Sequence, residues 1–480
     1  MTARALASIL GLLVASHASG ASIPLHVDRV TRDAPVTFGV PFPKGALHSP
    51  DHVRVLDERG IEVPSQITEV TSWAPADPSI QWIWVDFLTE GSSRYVLEYG
   101  ASIRRRTAIQ TPLRIVNSQR PAGGIDVDTG VLRFHVSRSE GGFIESADLV
   151  GANGALRALK APAGRGSFLD LLDDAGVDPS RAVVTFTTIE KGSGPLHAIL
   201  RIEGEYRYAR ADNRPAPFVT RIHVWAGKPW IKVLHTFLYT GIADKRRPQA
   251  GQHAHIATQG SPLLVEDPSD KGFTEPNDRI EGAGITLTLA ENLQTVRTGT
   301  ASGSWFQPGD ESRVEVSLGA QPVSLLQTGP KPNRMPPVPE SSGSTRIGGF
   351  VATLSEGARI IESKERAAGW FSVEGAHIGV AAAFKDILQE YPKAFTVTPA
   401  DQTLVASIWP NSVEPMSFAR YSLKPETEEG IETMENGATG LAKTTEMSFS
   451  VHAAGESAVA VRAARTLVDP PVISASPRWY

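Results

Sequence analysis

Two groups of side chains in this sequence have the types and spacing to do chemistry. The first is His253-Ala254-His255, beside the basic loop Lys245-Arg246-Arg247. In an extended segment the two imidazoles fall on one side. Such a pair suits a metal ion or an acid/base couple; equally, it is a surface strand with two incidental histidines. No carboxylate stands at a spacing that completes a metal site, so a divalent metal such as calcium is compatible with the sequence and no cofactor is identified by it. The second group is Arg366, Lys385, Tyr391 and Lys443. These side chains line a groove, or they are strand-end charges paired with Glu365, Asp386 and Glu446. Cations, imidazoles and a phenol are what an elimination beside a sugar carboxylate requires. A cation neutralises the carboxylate, a base takes the adjacent proton and an acid helps the leaving oxygen depart. Trp370 and Trp409 are the candidate substrate-binding aromatics. His235 lies on a face with Ile231, Val233, Phe237 and Tyr239, which marks it as a core histidine. There is no phosphate-binding glycine loop, His-Glu-x-x-His word or Gly-x-Ser-x-Gly elbow.

The second group sits on a stretch of short strands from Gly348 to Pro410. Gly348–Leu354, Ala358–Ser363, Trp370–Val373, Ile378–Phe384, Ala394–Thr398 and Leu404–Trp409 read as strands separated by Gly and Pro. Asp386 is placed to cap a helical turn over Ile387–Tyr391, which Pro392 stops. Earlier in the chain, the alternation of Leu200, Ile202, Gly204, Tyr206 and Tyr208 marks a half-buried strand. With Phe218–Trp225 and Trp230–Tyr239 it makes an antiparallel meander without a crossover helix. Phe168–Asp173 fits one helical turn or a strand. The Pro-rich run Gly329–Pro339 reads as an exposed insertion within one sandwich. Val459–Thr466 is a small amphipathic run. The expected fold is all-β: a small barrel-like N-terminal domain followed by a large antiparallel β-sandwich.

The words Gly369-Trp370-Phe371-Ser372-Val373, Ala383-Phe384-Lys385-Asp386 and Gln389-Glu390-Tyr391-Pro392-Lys393 resemble those of the exo-rhamnogalacturonan lyase/YetA-like family. The segment Gly437–Glu446 resembles that family's Gly-rich, Lys-Thr-His-Glu-like word, with Thr445 where the family has His. The resemblance implies an N-terminal barrel-like domain, a central β-sandwich and a C-terminal α/α toroid. It also implies an acidic polysaccharide or oligosaccharide as partner and β-elimination as the reaction. The toroid is not apparent in the sequence, so the chain reads as two β domains without the helical third, which a separate protein would then supply. A non-catalytic carbohydrate-binding module is the alternative. The match does not carry over a catalytic set position by position.

The bulk properties fit this picture. At 480 residues the chain holds two or three domains. A net charge of -5 gives no reason to expect nucleic acid as a partner. Cysteine is absent, which excludes disulfides, a thiol nucleophile and Cys-zinc sites. Residues 1–21 read as a signal peptide, with Arg4, an apolar core and small residues before Ser22. That places the mature chain in the periplasm or outside the cell, with no later segment apolar and long enough to span a membrane. The expected domains are 22–116, barrel-like, and 117–462, the sandwich, with 463–480 as a linker toward a helical domain. Within the first domain, Trp82, Trp84 and Asp86 share one face of a strand and Ile83, Val85 and Phe87 the other. Trp73, Trp82 and Trp84 are expected as barrel core residues, with a sugar-stacking platform as the alternative. Arg104-Arg105-Arg106 reads as a solvated linker face.

Overall fold

A computed structural model describes residues 20–74, 77–120, 123–138, 143–152, 154–161, 165–173, 175–241, 279–303, 308–329, 349–416 and 440–480. The fold is nearly all β. The chain divides into two compact units, one of residues 1–109 with 471–480, the other of residues 110–470.

The smaller unit has a five-stranded and a three-stranded antiparallel sheet. In the strand Asp77–Glu90 the expected alternation holds on one side: Ile83, Val85 and Phe87 are buried. The other side corrects the expectation that the tryptophans are core. Trp73 and Trp84 are exposed, and Trp82 lies half-buried across Gly39, where a Cβ would come within 2.4 Å of the indole nitrogen. The tail also differs from a linker. Ile473–Ala475 pairs with Ala21–Val27 as an edge strand. Trp479 packs edge-on against Phe42 and Tyr99 and donates its Nε1 hydrogen to the Pro41 carbonyl at 2.7 Å. This Trp is therefore spent on the small unit's own packing.

The larger unit is built on two broad antiparallel sheets. The nine-stranded sheet runs, in spatial order, Ser180–Ile189, His197–Tyr208, Ala216–Trp225, Trp230–Leu238, Ala442–Ala453, Ile378–Phe384, Arg366–Glu374, Thr295–Gly303 and Pro308–Ser317. The eight-stranded sheet runs Gly176–Asp178, Ser167–Asp173, Arg279–Thr288, Thr403–Trp409, Lys393–Thr398, Val323–Thr328, Val351–Glu356 and Arg359–Lys364. Phe168–Asp173 is thus strand. Strands from before residue 329 and after residue 349 pair directly, Val323–Thr328 with Val351–Glu356, so both belong to one sandwich. A further five-stranded sheet of residues 114–159 joins the same core.

One continuous core fills the space between the sheets. Leu200, Ile222, Val233 and Val380 enter it from the nine-stranded sheet, and Leu169, Ile285, Phe395 and Leu404 from the eight-stranded one. Each such side chain contributes roughly 1.5–3 kcal/mol on leaving water. His235 is part of this core. Its Nε2 lies 2.9 Å from the Tyr206 hydroxyl and its Nδ1 2.8 Å from Thr220 Oγ1, and burial pushes its pKa down to about 4.

The helix Ala458–Val468 lies on the outer side of the nine-stranded sheet. Its face of Val461, Ala464 and Leu467 covers Trp370 and Ala383. That is why the strand Ile378–Phe384 is buried along its whole length and reads as uniformly apolar. The helical turn expected after Asp386 is instead a single hydrogen-bonded turn, Glu390 N–H to Asp386 carbonyl at 2.8 Å, with Asp386 in the left-handed region at φ 55°. A left-handed residue at that position cannot start a helix, so Asp386 does not act as its cap.

Candidate functional site

The outward face of the eight-stranded sheet carries a groove of about 560 Å³. Its origin is the two-residue period of the strands. Leu169, Ile285, Leu287, Phe395, Leu404 and Ala406 point into the core, so their neighbours Phe168, Asp170, Thr286, Thr288, Thr396, Thr403, Ser407 and Trp409 point out. Strand register places Phe168 opposite Gly284, and Gly284 opposite Ser407. A Cβ on Gly284 would meet the Phe168 ring at 3.1 Å and the Ala406 carbonyl at 2.8 Å, so glycine there lets the ring lie across the sheet. Arg165 stacks on the other side of Phe168, 5.0 Å from the ring centroid, and is ion-paired with Asp170. Asp170 also accepts the Ser180 N–H at 2.9 Å. Trp409 is held at the end of its strand by its Nε1 hydrogen, donated to the Glu414 carbonyl at 3.2 Å.

The groove therefore offers the aromatic surface of Trp409, a row of hydroxyls, the Arg165–Asp170 pair and the carboxylate of Asp401, with the Phe168 ring covered by Arg165. Aromatic faces suit the C–H side of a sugar ring, and flanking hydroxyls suit its equatorial oxygens. Its volume is within the range of small-ligand sites.

The structure separates the side chains that the sequence grouped together. Trp409 lines the groove. Trp370 does not: it is buried beneath the helix Ala458–Val468, its Nε1 hydrogen donated to Glu311 at 3.0 Å, and it offers no surface to a substrate. Lys385 and Lys443 lie on opposite sides of the strand Ala442–Ala453. Lys385 points outward, 3.2 Å from Glu446, which also meets Lys232 at 2.7 Å. Lys443 follows the inward period of Thr445 and Met447 and reaches Glu390 at 3.0 Å. The same Glu390 oxygen lies 3.2 Å from the fully buried ammonium of Lys393. Tyr391 meets Phe350 edge-on at 5.4 Å, with its ring against Gly329. Arg366 opens the strand Arg366–Glu374, and burial lowers its pKa. His253 and His255 lie outside the described residues, as does the Lys245–Arg247 loop. Among the described residues no three His, Asp or Glu side chains are grouped so as to hold a metal ion.

Sequence reasoning missed Phe168, Arg165 and Asp170 in the groove and Lys393 within the core. Phe168 and Asp170 were visible in principle, as the outward neighbours of Leu169 and Leu171, whereas Arg165 precedes that strand. Lys393 gave no signal, because lysine is an exposed residue by default.

Two family models match the chain. Residues 25–90 match the PcRGLX-like N-terminal RIFT barrel domain, and residues 116–248 the PcRGLX-like protein central beta sandwich domain. Each match covers part of one of the two units. A relative in Bacillus subtilis, uncharacterized protein YetA, is 23% identical over 434 residues, covering 86% of this chain and 47% of its own length. The chain thus spans about half the length of that relative. Over these segments the chain is similar to the PcRGLX-like domains and to YetA. Among solved structures, a glycosyl hydrolase family 38 protein from Enterococcus faecalis is 11% identical, with a TM-score of 0.47 over 95% of this chain and 48% of that one. An alpha-mannosidase from the same species gives 10% identity and a TM-score of 0.45, covering 95% of this chain and 46% of that one. At that level of similarity neither carries an argument about activity.

Proposed function

We propose that this PcRGLX-like protein acts on rhamnogalacturonan-type pectin as an exported polysaccharide lyase. The observation that supports it is the groove beside Phe168 and Trp409, an aromatic and hydroxyl-lined surface on a chain whose domains match this family. In the reaction, a base removes the proton at C5 of a uronate, the C5–C4 double bond forms, the C4–O4 bond breaks and O4 leaves with a proton. Residues 1–21 would direct export. A second reading, a non-catalytic carbohydrate-binding module, is favoured by one feature. The groove's own cation, Arg165, is already paired with Asp170 and so is not free to neutralise a substrate carboxylate.

One assay separates the two. The purified chain is incubated with rhamnogalacturonan oligosaccharides while absorbance from the unsaturated uronate is followed. Product formation that falls in Trp409→Ala supports the lyase. Heat of binding without product supports the module and overturns the lyase reading.

A further inference from the structure

The geometry points to a binding site for the carboxylate of a uronic acid, formed by Lys393 and Lys443 where both gather on Glu390. Two ammonium groups share one carboxylate oxygen here, at 3.2 and 3.0 Å, which leaves one positive charge unbalanced among the described residues. Lys393 has no exposure to solvent at all; its carboxylate partner is the Glu390 oxygen, the Phe384 ring face lies 5.1 Å away, and buried Gln327 stands opposite it on the neighbouring strand. An ammonium has three donors, and a buried one with so few acceptors carries a large desolvation cost. A well-packed apolar side chain there would serve stability as well or better. An arriving carboxylate supplies both the missing charge and the missing acceptors.

The site opens to solvent on the side of Lys443 and Glu390. Lys443 is about one-third exposed at 34%, so a ligand meets it from solvent. Trp409 also lies at this end of the sandwich, since the strand it closes pairs Ser407 with Ala394, next to Lys393. Trp409 itself lines the outer face of that sheet, whereas Lys393 follows the inward period of Phe395 and Val397, so the two sites lie on opposite faces. Burial pushes the Lys393 pKa down to about 8, with Lys443 adding to the effect and Glu390 opposing it, so the group is still charged at neutral pH. The choice of a uronate, as opposed to any other anion, rests on the carbohydrate reading above.

The test is calorimetric titration of D-galacturonate, D-galactose, acetate and inorganic phosphate into the full chain and into Lys443→Met, Lys385→Met and Trp409→Ala. Galacturonate should bind, galactose should bind at least about tenfold more weakly, and Lys443→Met should weaken galacturonate by about tenfold or more, the worth of one charge-assisted hydrogen bond. Lys385→Met should leave it unchanged. Acetate bound weakly by the same lysine supports the proposal; phosphate bound in place of galacturonate overturns it. Galacturonate affinity lost in Trp409→Ala but kept in Lys443→Met also overturns it, while leaving the groove reading intact. A second readout does not depend on any variant folding: in the wild-type chain with isotope-labelled lysine, saturating galacturonate should raise the pKa of Lys393. An unchanged Lys393 titration contradicts the site.

Discussion

The strand Ala442–Ala453 carries two versions of the same ionic motif on its two faces. Outward, Lys232 and Lys385 flank Glu446; inward, Lys393 and Lys443 flank Glu390. The compositions are identical and the consequences are not. In the outer triad each ammonium takes its own carboxylate oxygen, and all three groups are roughly one-quarter to one-third exposed. Burial works to raise the Glu446 pKa, but Lys232 and Lys385 outweigh it and hold the carboxyl below its ordinary range. In the inner triad the two ammonium groups share one oxygen, and burial displaces a lysine instead. Solvent lets the outer motif settle as an ordinary surface network. The inner one has the same two-to-one composition, but one of its ammonium groups, Lys393, is wholly buried while Lys443 and Glu390 stay about one-third exposed, so the desolvation cost falls on a single member.

The largest expected difference comes from removing the central carboxylate. Glu390→Gln leaves a buried ammonium without its counter-charge and should destabilise the fold by about 3 kcal/mol or more, whereas Glu446→Gln, on a partly exposed network, should cost about 1 kcal/mol or less. Denaturant unfolding of the two variants measures both; equal losses would erase the distinction between the faces.

Alkaline pH gives the next test. Lys393 titrates near 8 in the folded chain and near its ordinary 10.5 when unfolded. Between those values the unfolded chain binds more protons, so this group's contribution to stability rises with pH, by up to about 1.4 kcal/mol per unit. The burial cost is fully present below pH 8. Subtracting the Lys393→Met profile from wild type isolates this slope, and a flat difference would contradict it.

The outer triad has the opposite signature, at acid pH. Because the folded pKa of Glu446 lies below its ordinary 4.5, its contribution is present above that value and is lost as pH falls through the folded pKa. Unfolding midpoints of Glu446→Gln should be less acid-sensitive than wild type in that window, by a fraction of a kcal/mol after solvent screening.

The smallest effect is that of salt. Raising ionic strength from 0.1 to 1 M shortens the screening length from about 10 to about 3 Å. The stability difference between wild type and Glu446→Gln should shrink, and that between wild type and Lys393→Met should persist.

Much of the sandwich was legible because its strands are short, punctuated and alternating. Each of the six runs between Gly348 and Pro410 overlaps an observed strand, and Ile378–Phe384 matches to the residue. His235 was correctly read from its apolar neighbours. The errors share a cause: period shows that two faces exist and not what covers each. Trp370 is sealed by a helix about ninety residues later in the chain, and Trp84 is exposed although Asp86, two residues on along the same face, is buried. The inner triad was hidden for the same reason. Glu390 and Lys393 sit within one quoted word, but only the packing of two sheets brings Lys443 to them.

The central claim is that the chain engages a carbohydrate through the groove of Phe168 and Trp409. Calorimetric titration of a rhamnogalacturonan oligosaccharide into wild type, Trp409→Ala and Trp84→Ala tests it most directly. The account predicts binding that falls at least tenfold in Trp409→Ala, the worth of about 1.4 kcal/mol or more of stacking, with Trp84→Ala unchanged. Binding that survives Trp409→Ala, or that is lost in Trp84→Ala instead, would contradict it.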